Sequence, residues 1–279
     1  LNSDGTYRYS DLTVLNLSDP ENSPGWQQNS EITLYDINSH AIEAKDINGN
    51  FAATKFDLNN ERVIATVANA EYSEFTGSSF EGVTDFSITA LEGEIYLING
   101  YVINAGGAHT GTGMAGIADE GGVMLQAAIK PKTGRSYVLK YWQKKRDTSK
   151  NLKVSVRKDG KNFDLETTKI GQAGNWELFQ SYLTVSKDDD WLVRVEGAAL
   201  EGADSRLFMD DFRIHPIDAT MTSYVYNEWG ELSDILDSNN LFTHYEYDAM
   251  GRLKSVTRET LGYGPVKVSE GTIVYSNGN

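Results

Sequence analysis

The chain has 279 residues, 39% of them hydrophobic and 23% charged, a composition that suits a folded protein of two or three domains and excludes a disordered one. With 40 acidic against 25 basic residues the net charge is −15, which repels phosphate backbones and anionic lipid and argues against nucleic-acid partners. The absence of cysteine excludes disulfide scaffolds, thiolate metal sites and cysteine nucleophiles. The longest stretch without a charged residue lies between Glu94 and Asp119. Its glycines, with Asn99, Asn104 and His109, make it unsuitable for membrane insertion.

The chain starts at Leu1 rather than Met, which reads as a processed chain or a fragment of a longer one. Residues 1–77 are read as an N-terminal β segment. Thr33-x-Tyr35-Asp36 is echoed by Thr54-x-Phe56-Asp57, with the Asp-x-Asn-Gly turn Asp46–Gly49 between them. The spacing predicts degenerate hairpins over residues 31–70, with an unrelated β-meander as the alternative.

Residues 78–217 read as successive short strands: Asp85–Ala90, Glu94–Ile98, Val123–Ala128, Ser136–Lys144, Leu152–Arg157, Trp176–Val185, Trp191–Val195 and Leu207–Ile214. Leu152, Val154 and Val156 alternate with Lys153, Ser155 and Arg157, as do Trp191, Val193 and Val195 with Leu192 and Arg194. About eight antiparallel strands without a competing helical pattern predict a two-sheet sandwich.

In residues 218–279, Thr222, Tyr224, Tyr226, Gly230 and Leu232 recur 21 residues later as Thr243, Tyr245, Tyr247, Gly251 and Leu253. Thr-x-Tyr-x-Tyr has the period of a strand, and Asn/Asp-x-x-Gly is a turn whose glycine accepts a positive φ. Two successive hairpins follow, with Gly230 and Gly251 in equivalent turns. One hairpin is marginal alone, so the units read as part of a truncated array.

These residues resemble the YD-repeat (RHS) family. Tyr247-Asp248-Ala249-Met250-Gly251-Arg252-Leu253 is similar to its Tyr-Asp-x-x-Gly-Arg-Leu motif, and Tyr226-Asn227-Glu228-Trp229-Gly230-Glu231-Leu232 departs from it by Asn for Asp and Glu for Arg. In that family long arrays form a shell around another part of the chain, a role that two units cannot carry. The middle region resembles galactose-binding-like and carbohydrate-binding jelly rolls. That resemblance rests on Ser79-Phe80-Glu81-Gly82, Ala108-His109-Thr110-Gly111, Tyr137 to Trp142, Gly174-Asn175-Trp176 and Leu207 to Ile214, in that order. The whole chain is similar to secreted YD-repeat proteins of the Bacteroidetes type, which place a jelly roll before the repeats. The implied fold is all-β: a jelly-roll sandwich flanked by YD-type hairpins.

No Gly-x-Ser-x-Gly, His-Glu-x-x-His or Walker loop occurs, and Gly111 to Gly116 matches Gly-x-Gly-x-x-Gly only in a β context. None of the four histidines has a His or Cys partner at zinc spacing, and His109 reads as a turn residue bonded to backbone. The carboxylate pairs Glu92/Glu94, Asp119/Glu120, Asp188–Asp190 and Asp210/Asp211 give glycoside hydrolysis little support. Adjacent strand residues point to opposite faces, so Asp210 and Asp211 are not expected to enter one site by strand geometry. Trp142 shares a strand face with Val138, Lys140 and Lys144. It is the candidate platform for stacking a sugar ring, the alternative being packing against the repeats. Trp176 and Trp191 are assigned to the core.

Similar jelly rolls hold a structural calcium where a first strand with Phe-Glu meets a last strand with Asp-Asp. The resemblance therefore implies Glu81 and Asp210 as ligands, with Asp211 a weaker one. Asp210 also shares a parity with Phe208, Phe212 and Ile214, and a carboxylate there needs a partner. The competing expectation is hydrogen bonding of Asp210 to backbone, Arg206 or Arg213 without metal. The resulting functional expectation is a non-enzymatic structural and interaction module of a secreted or cell-surface YD-repeat protein, partnered by the rest of its array. The alternative is a glycan-binding module.

Overall fold

The computed structural model describes residues 18–19, 28–57, 59, 61–81, 89–91, 95–104, 106–117, 121–144, 151–187, 191–198 and 207–271. The expected strand before Thr89, the carboxylates at 92, 94, 119, 120 and 188–190, and Arg206 lie outside them. The described chain is nearly all β, with one 3-10 turn at Tyr72–Glu74.

Four strands come first: β1 (Ser30–Tyr35), β2 (Ala41–Asp46), β3 (Phe51–Phe56) and β4 (Val63–Ala68). The sandwich contributes β5 (Thr76–Ser78), β6 (Thr89–Leu91), β7 (Ile95–Leu97), β8 (Gly100–Ile103), β9 (Met114–Ile117), β10 (Gly122–Ile129), β11 (Ser136–Lys144), β12 (Lys153–Lys158), β13 (Lys161–Leu165), β14 (Thr167–Ala173), β15 (Trp176–Thr184), β16 (Trp191–Gly197) and β17 (Phe208–Pro216). The chain ends in β18 (Thr220–Tyr226), β19 (Leu232–Leu236), β20 (Phe242–Tyr247), β21 (Leu253–Thr260) and β22 (Gly264–Glu270).

The N-terminal and C-terminal strands form one nine-stranded antiparallel sheet, β1-β2-β3-β4-β18-β19-β20-β21-β22. Its turns share one chemistry. In the loops opened by Asp36, Asp46, Asn227, Asp237 and Asp248, the side-chain Oδ1 accepts from the backbone N–H groups two and four residues on. The fourth residue of each loop takes a positive φ: Ser39, Gly49, Gly230, Asn240 and Gly251, respectively. The opening side chain thus satisfies two loop donors, and the fourth position needs a residue that tolerates the left-handed region. Turn openers fall at Asp36, Asp46 and Asp57, and again at Asn227, Asp237 and Asp248, with the same steps of ten and eleven residues. The 21-residue repeat is therefore two strands and two turns. Its second turn, found in the N-terminal copy at Asp46–Gly49, escaped the pattern in the C-terminal copy because Asn240 stands there in place of glycine. Residues 30–68 form antiparallel hairpins whose Asp36 and Asp46 turns have this chemistry.

The sandwich is inserted at one hairpin position of this sheet. β4 ends at Ala68 and β18 begins at Thr220, and these two residues are ladder partners. Arg135 fastens both connecting links, donating to the Asn69 carbonyl, to Asp218 at 3.0 Å and to the buried Glu74 at 3.0 Å.

A six-stranded sheet (β13-β12-β16-β10-β7-β6) faces a seven-stranded one (β14-β15-β11-β17-β9-β8, with β5 also on β17). Between them lies the main core. Tyr137, Leu139 and Tyr141 of β11 meet Val154, Val156, Val193, Val195 and Leu125 from the other sheet. The expected alternation of β11, β12 and β16 is the alternation observed. Among the described residues thirteen strands, not eight, build the region. Those missed are β5, β8, β9, β13 and β14, short, glycine-rich or largely solvated segments whose sequences lack an apolar alternation.

Candidate functional site

The outer face of the seven-stranded sheet is covered by the C-terminal half of the hairpin sheet, and the residues predicted from sequence gather at this junction. β17 carries a bulge. Lys140 opposes Arg213 and Trp142 opposes Asp210, so two residues of β17 stand against Tyr141 alone. Asp211 adopts φ of 49° there. The bulge breaks strand alternation and turns both neighbouring carboxylates towards the His109–Thr110 turn. The expectation that Asp210 and Asp211 diverge is thereby corrected: alternation holds only in an unbulged strand.

Asp210 Oδ2 accepts from the backbone of His109 (2.7 Å) and Thr110 (3.3 Å), and its Oδ1 from the backbone N–H of Asp211. Asp211 accepts from the Ser79 and Thr110 hydroxyls and pairs with His109 Nδ1 at 2.6 Å. Glu81 accepts from the backbone of Thr112 and Gly113 and from the Thr112 hydroxyl. The structure therefore brings Glu81, Asp210 and Asp211 together around residues 109–113. Asp210 bonds backbone, one of the two expectations for it, and makes no arginine contact among the described residues. Burial raises the pKa of Asp210 well above its ordinary value, with the charges of Asp211 and Glu81 adding to the effect. Burial likewise raises that of Glu81.

His109 is not a turn residue bonded to backbone through its ring. Its Nε2 meets Glu259 of β21 at 2.8 Å, so the imidazole bridges a carboxylate of each sheet system. Burial alone would lower its pKa, but the bonds to Asp211 and Glu259 raise it to about 9. An imidazolium donating from both nitrogens answers part of the buried negative charge.

Trp142 stacks on this imidazole at 4.1 Å between centroids. Its Nε1 donates to the Asn240 carbonyl at 2.8 Å, and it has 0% exposure. The indole presents no face to solvent, which corrects its assignment as a sugar platform. The strand face holding Val138, Lys140 and Trp142 is polar in sequence because it is an interface, where Lys140 donates to the Ser238 carbonyl and Trp142 to the Asn240 carbonyl of the same loop. Trp176 and Trp191 are buried, as assigned.

Beside this buried hub a groove of about 1030 Å³ opens between the hairpin sheet and the sandwich. Tyr224, Tyr226 and Trp229 line it from β18 and its turn, and Arg62 lies over the Tyr226 ring at 5.6 Å. Trp229 is 81% exposed. Sequence reasoning passed over these aromatics because they sit inside the repeat motif and read as its framework.

The family model of the RHS repeat matches residues 226–264, which span the turn after β18 through to the start of β22. No curated protein matched the chain. Among solved structures, it is similar to a xylan-binding domain from CBM 22 (14% identity, TM-score 0.36, covering 52% of this chain and 95% of that one). Others are the CBM22-1 xylan-binding domain of Paenibacillus barcinonensis Xyn10C (13%, TM-score 0.30, 52% and 86%) and TmCBM61 in complex with β-1,4-galactotriose (18%, TM-score 0.28, 52% and 90%). At such scores the jelly-roll sandwich stands on its own strand pairings. The RHS repeat supplies Glu259 to the His109 hub and Asn240 to Trp142, so repeat and sandwich share one buried site.

Proposed function

We propose that the chain is a non-enzymatic structural and interaction module of an RHS-repeat protein, in which the sandwich is held in fixed orientation on the repeat sheet. The single observation supporting this is the buried lock of Trp142 and His109 on Asn240 and Glu259, which ties the sandwich to the array. The rest of that array is its first partner. Its setting in this reading is extracellular or cell-surface, as the resemblance to secreted YD-repeat proteins implies. The interaction partner is a glycan, in line with the sandwich fold and with Tyr224, Tyr226 and Trp229 at the groove. Affinity electrophoresis in gels containing neutral polysaccharides tests this. Retarded migration without release of reducing ends is expected. Released reducing ends would overturn the non-enzymatic reading, and unretarded migration in every gel would overturn the glycan partner.

A structural calcium at Glu81, Asp210 and Asp211 is kept as part of the proposal. The chemistry of the set, three hard and crowded carboxylates against one imidazolium, supports it. In the described geometry these oxygens face N–H and O–H donors, and no three His, Asp or Glu side chains among the described residues are grouped as a metal site. Binding would require the Ser79 and Thr110 hydroxyls to turn from donors into ligands. At 100 times its dissociation constant, calcium should add roughly 2.7 kcal/mol to stability relative to a chelator. Superimposable melts would remove the ion.

A further inference from the structure

We propose that the groove between the hairpin sheet and the sandwich binds a neutral glycan, with Trp229 as the stacking platform and Arg213 and Asn240 as the polar floor; this rests on the glycan-binding reading above and gives it a place.

The floor is built, not merely concave. Arg213 and Asn240 line the groove and are buried, at 1% and 0% exposure. Arg213 Nη1 donates to the carbonyls of Met221 (3.3 Å) and Asp237 (2.6 Å), while Nη2 meets no protein acceptor. Asn240 Nδ2 donates to the Asp211 carbonyl at 2.9 Å, while Oδ1 meets no protein donor. One donor and one acceptor are thus left over in the same floor, and leaving either unsatisfied is costly.

The pair selects among ligand chemistries. A carboxylate or phosphate would suit Arg213, but not the lone acceptor on Asn240. It would also be repelled by Asp57, Glu228 and Asp234, which line the same groove. An ammonium would suit Asn240 and the acids but not Arg213. A sugar hydroxyl donates and accepts and so answers both. Above the floor, Trp229 offers an exposed ring for the apolar C–H face of a pyranose, with Arg62 and Tyr226 packed together beside it. The site is made only where the RHS repeat and the sandwich meet.

The test is titration calorimetry of the whole chain with neutral oligosaccharides of glucose, galactose and xylose, and with oligogalacturonate of the same length. Three variants are compared. Trp229→Ala removes an exposed ring, so its melting temperature should stay that of the parent. Asn240→Gly suits the residue's φ of 68° and keeps its carbonyl for Trp142. Tyr96→Ala alters the far, six-stranded face. At least one neutral oligosaccharide should bind, at least tenfold more weakly in Trp229→Ala and Asn240→Gly and unchanged in Tyr96→Ala. Binding that survives both groove variants, with or without loss in Tyr96→Ala, overturns the groove while leaving the glycan reading standing. Preference for oligogalacturonate overturns the neutral ligand. No binding of either kind removes the glycan reading and the groove with it.

Discussion

In the hairpin sheet each turn carries its own instructions. One Asp or Asn at the first position and one residue tolerant of positive φ at the fourth are enough to fold the chain back, wherever the loop lies. In the sandwich no such local rule operates. Tyr141 packs because Phe179 and Val154 arrive from other strands, and the bulge at Asp211 exists because a turn a hundred residues earlier must be held. The two regions have the same secondary structure and opposite sources of order. The hairpins depend on short-range hydrogen bonds repeated many times, and the sandwich on one non-local core.

The junction between the regions is where the comparison can be broken most severely. Trp142→Ala should destabilise the protein by about 3–5 kcal/mol, through lost packing and an abandoned Asn240 carbonyl. Denaturant unfolding followed by near-ultraviolet circular dichroism checks this. A loss below 1 kcal/mol would mean that the two regions stand independently.

A second test separates them by pH. Burial, with the charges of Arg213 and Lys140, lowers His215 to about 4, and its Nδ1 lies 2.8 Å from the Pro216 carbonyl. Because the folded pKa lies below the unfolded one, the unfolded state takes up its proton first as pH falls. Stability is therefore unaffected above about pH 7, declines from about pH 6.5, and by about pH 4 has lost about 3 kcal/mol. His215→Leu should flatten this part of the stability profile. An unchanged profile would assign the acid limb to other groups.

The smallest effects compare turn with turn. Asp46→Ala removes the side-chain acceptor of a solvated loop and should lower the melting temperature only slightly. Asp237→Ala removes the same acceptor from a loop docked on Arg213, Lys140 and Trp142, and should lower it two to three times as much. Equal losses in thermal melts would show that docking adds nothing to the local turn.

How much could be read beforehand follows the same division. The alternation in β11, β12 and β16 and the Gly230 and Gly251 turns were legible because each is written within ten residues. The union of residues 30–68 with 220–270 in one sheet was not, since it depends on the pairing of Ala68 with Thr220 across the whole sandwich. Glu81, Asp210 and Asp211 all border residues 109–113, a neighbourhood that only resemblance pointed to in the sequence. Parity argued against joining the two aspartates, and only the bulge reconciles them. Trp142 misled because a polar strand face looks the same in sequence whether it meets water or another sheet.

The side-by-side anchorage at Ala68 and Thr220 has a mechanical consequence. Tension drawn across the sheet from its outer strands passes through the β4–β18 ladder before it reaches the covalent path through the sandwich. The sandwich hangs as a shielded loop, and Arg135 ties off its neck. Under load the hydrogen bonds of β4 and β18 must part first, releasing a long reserve of folded chain only afterwards.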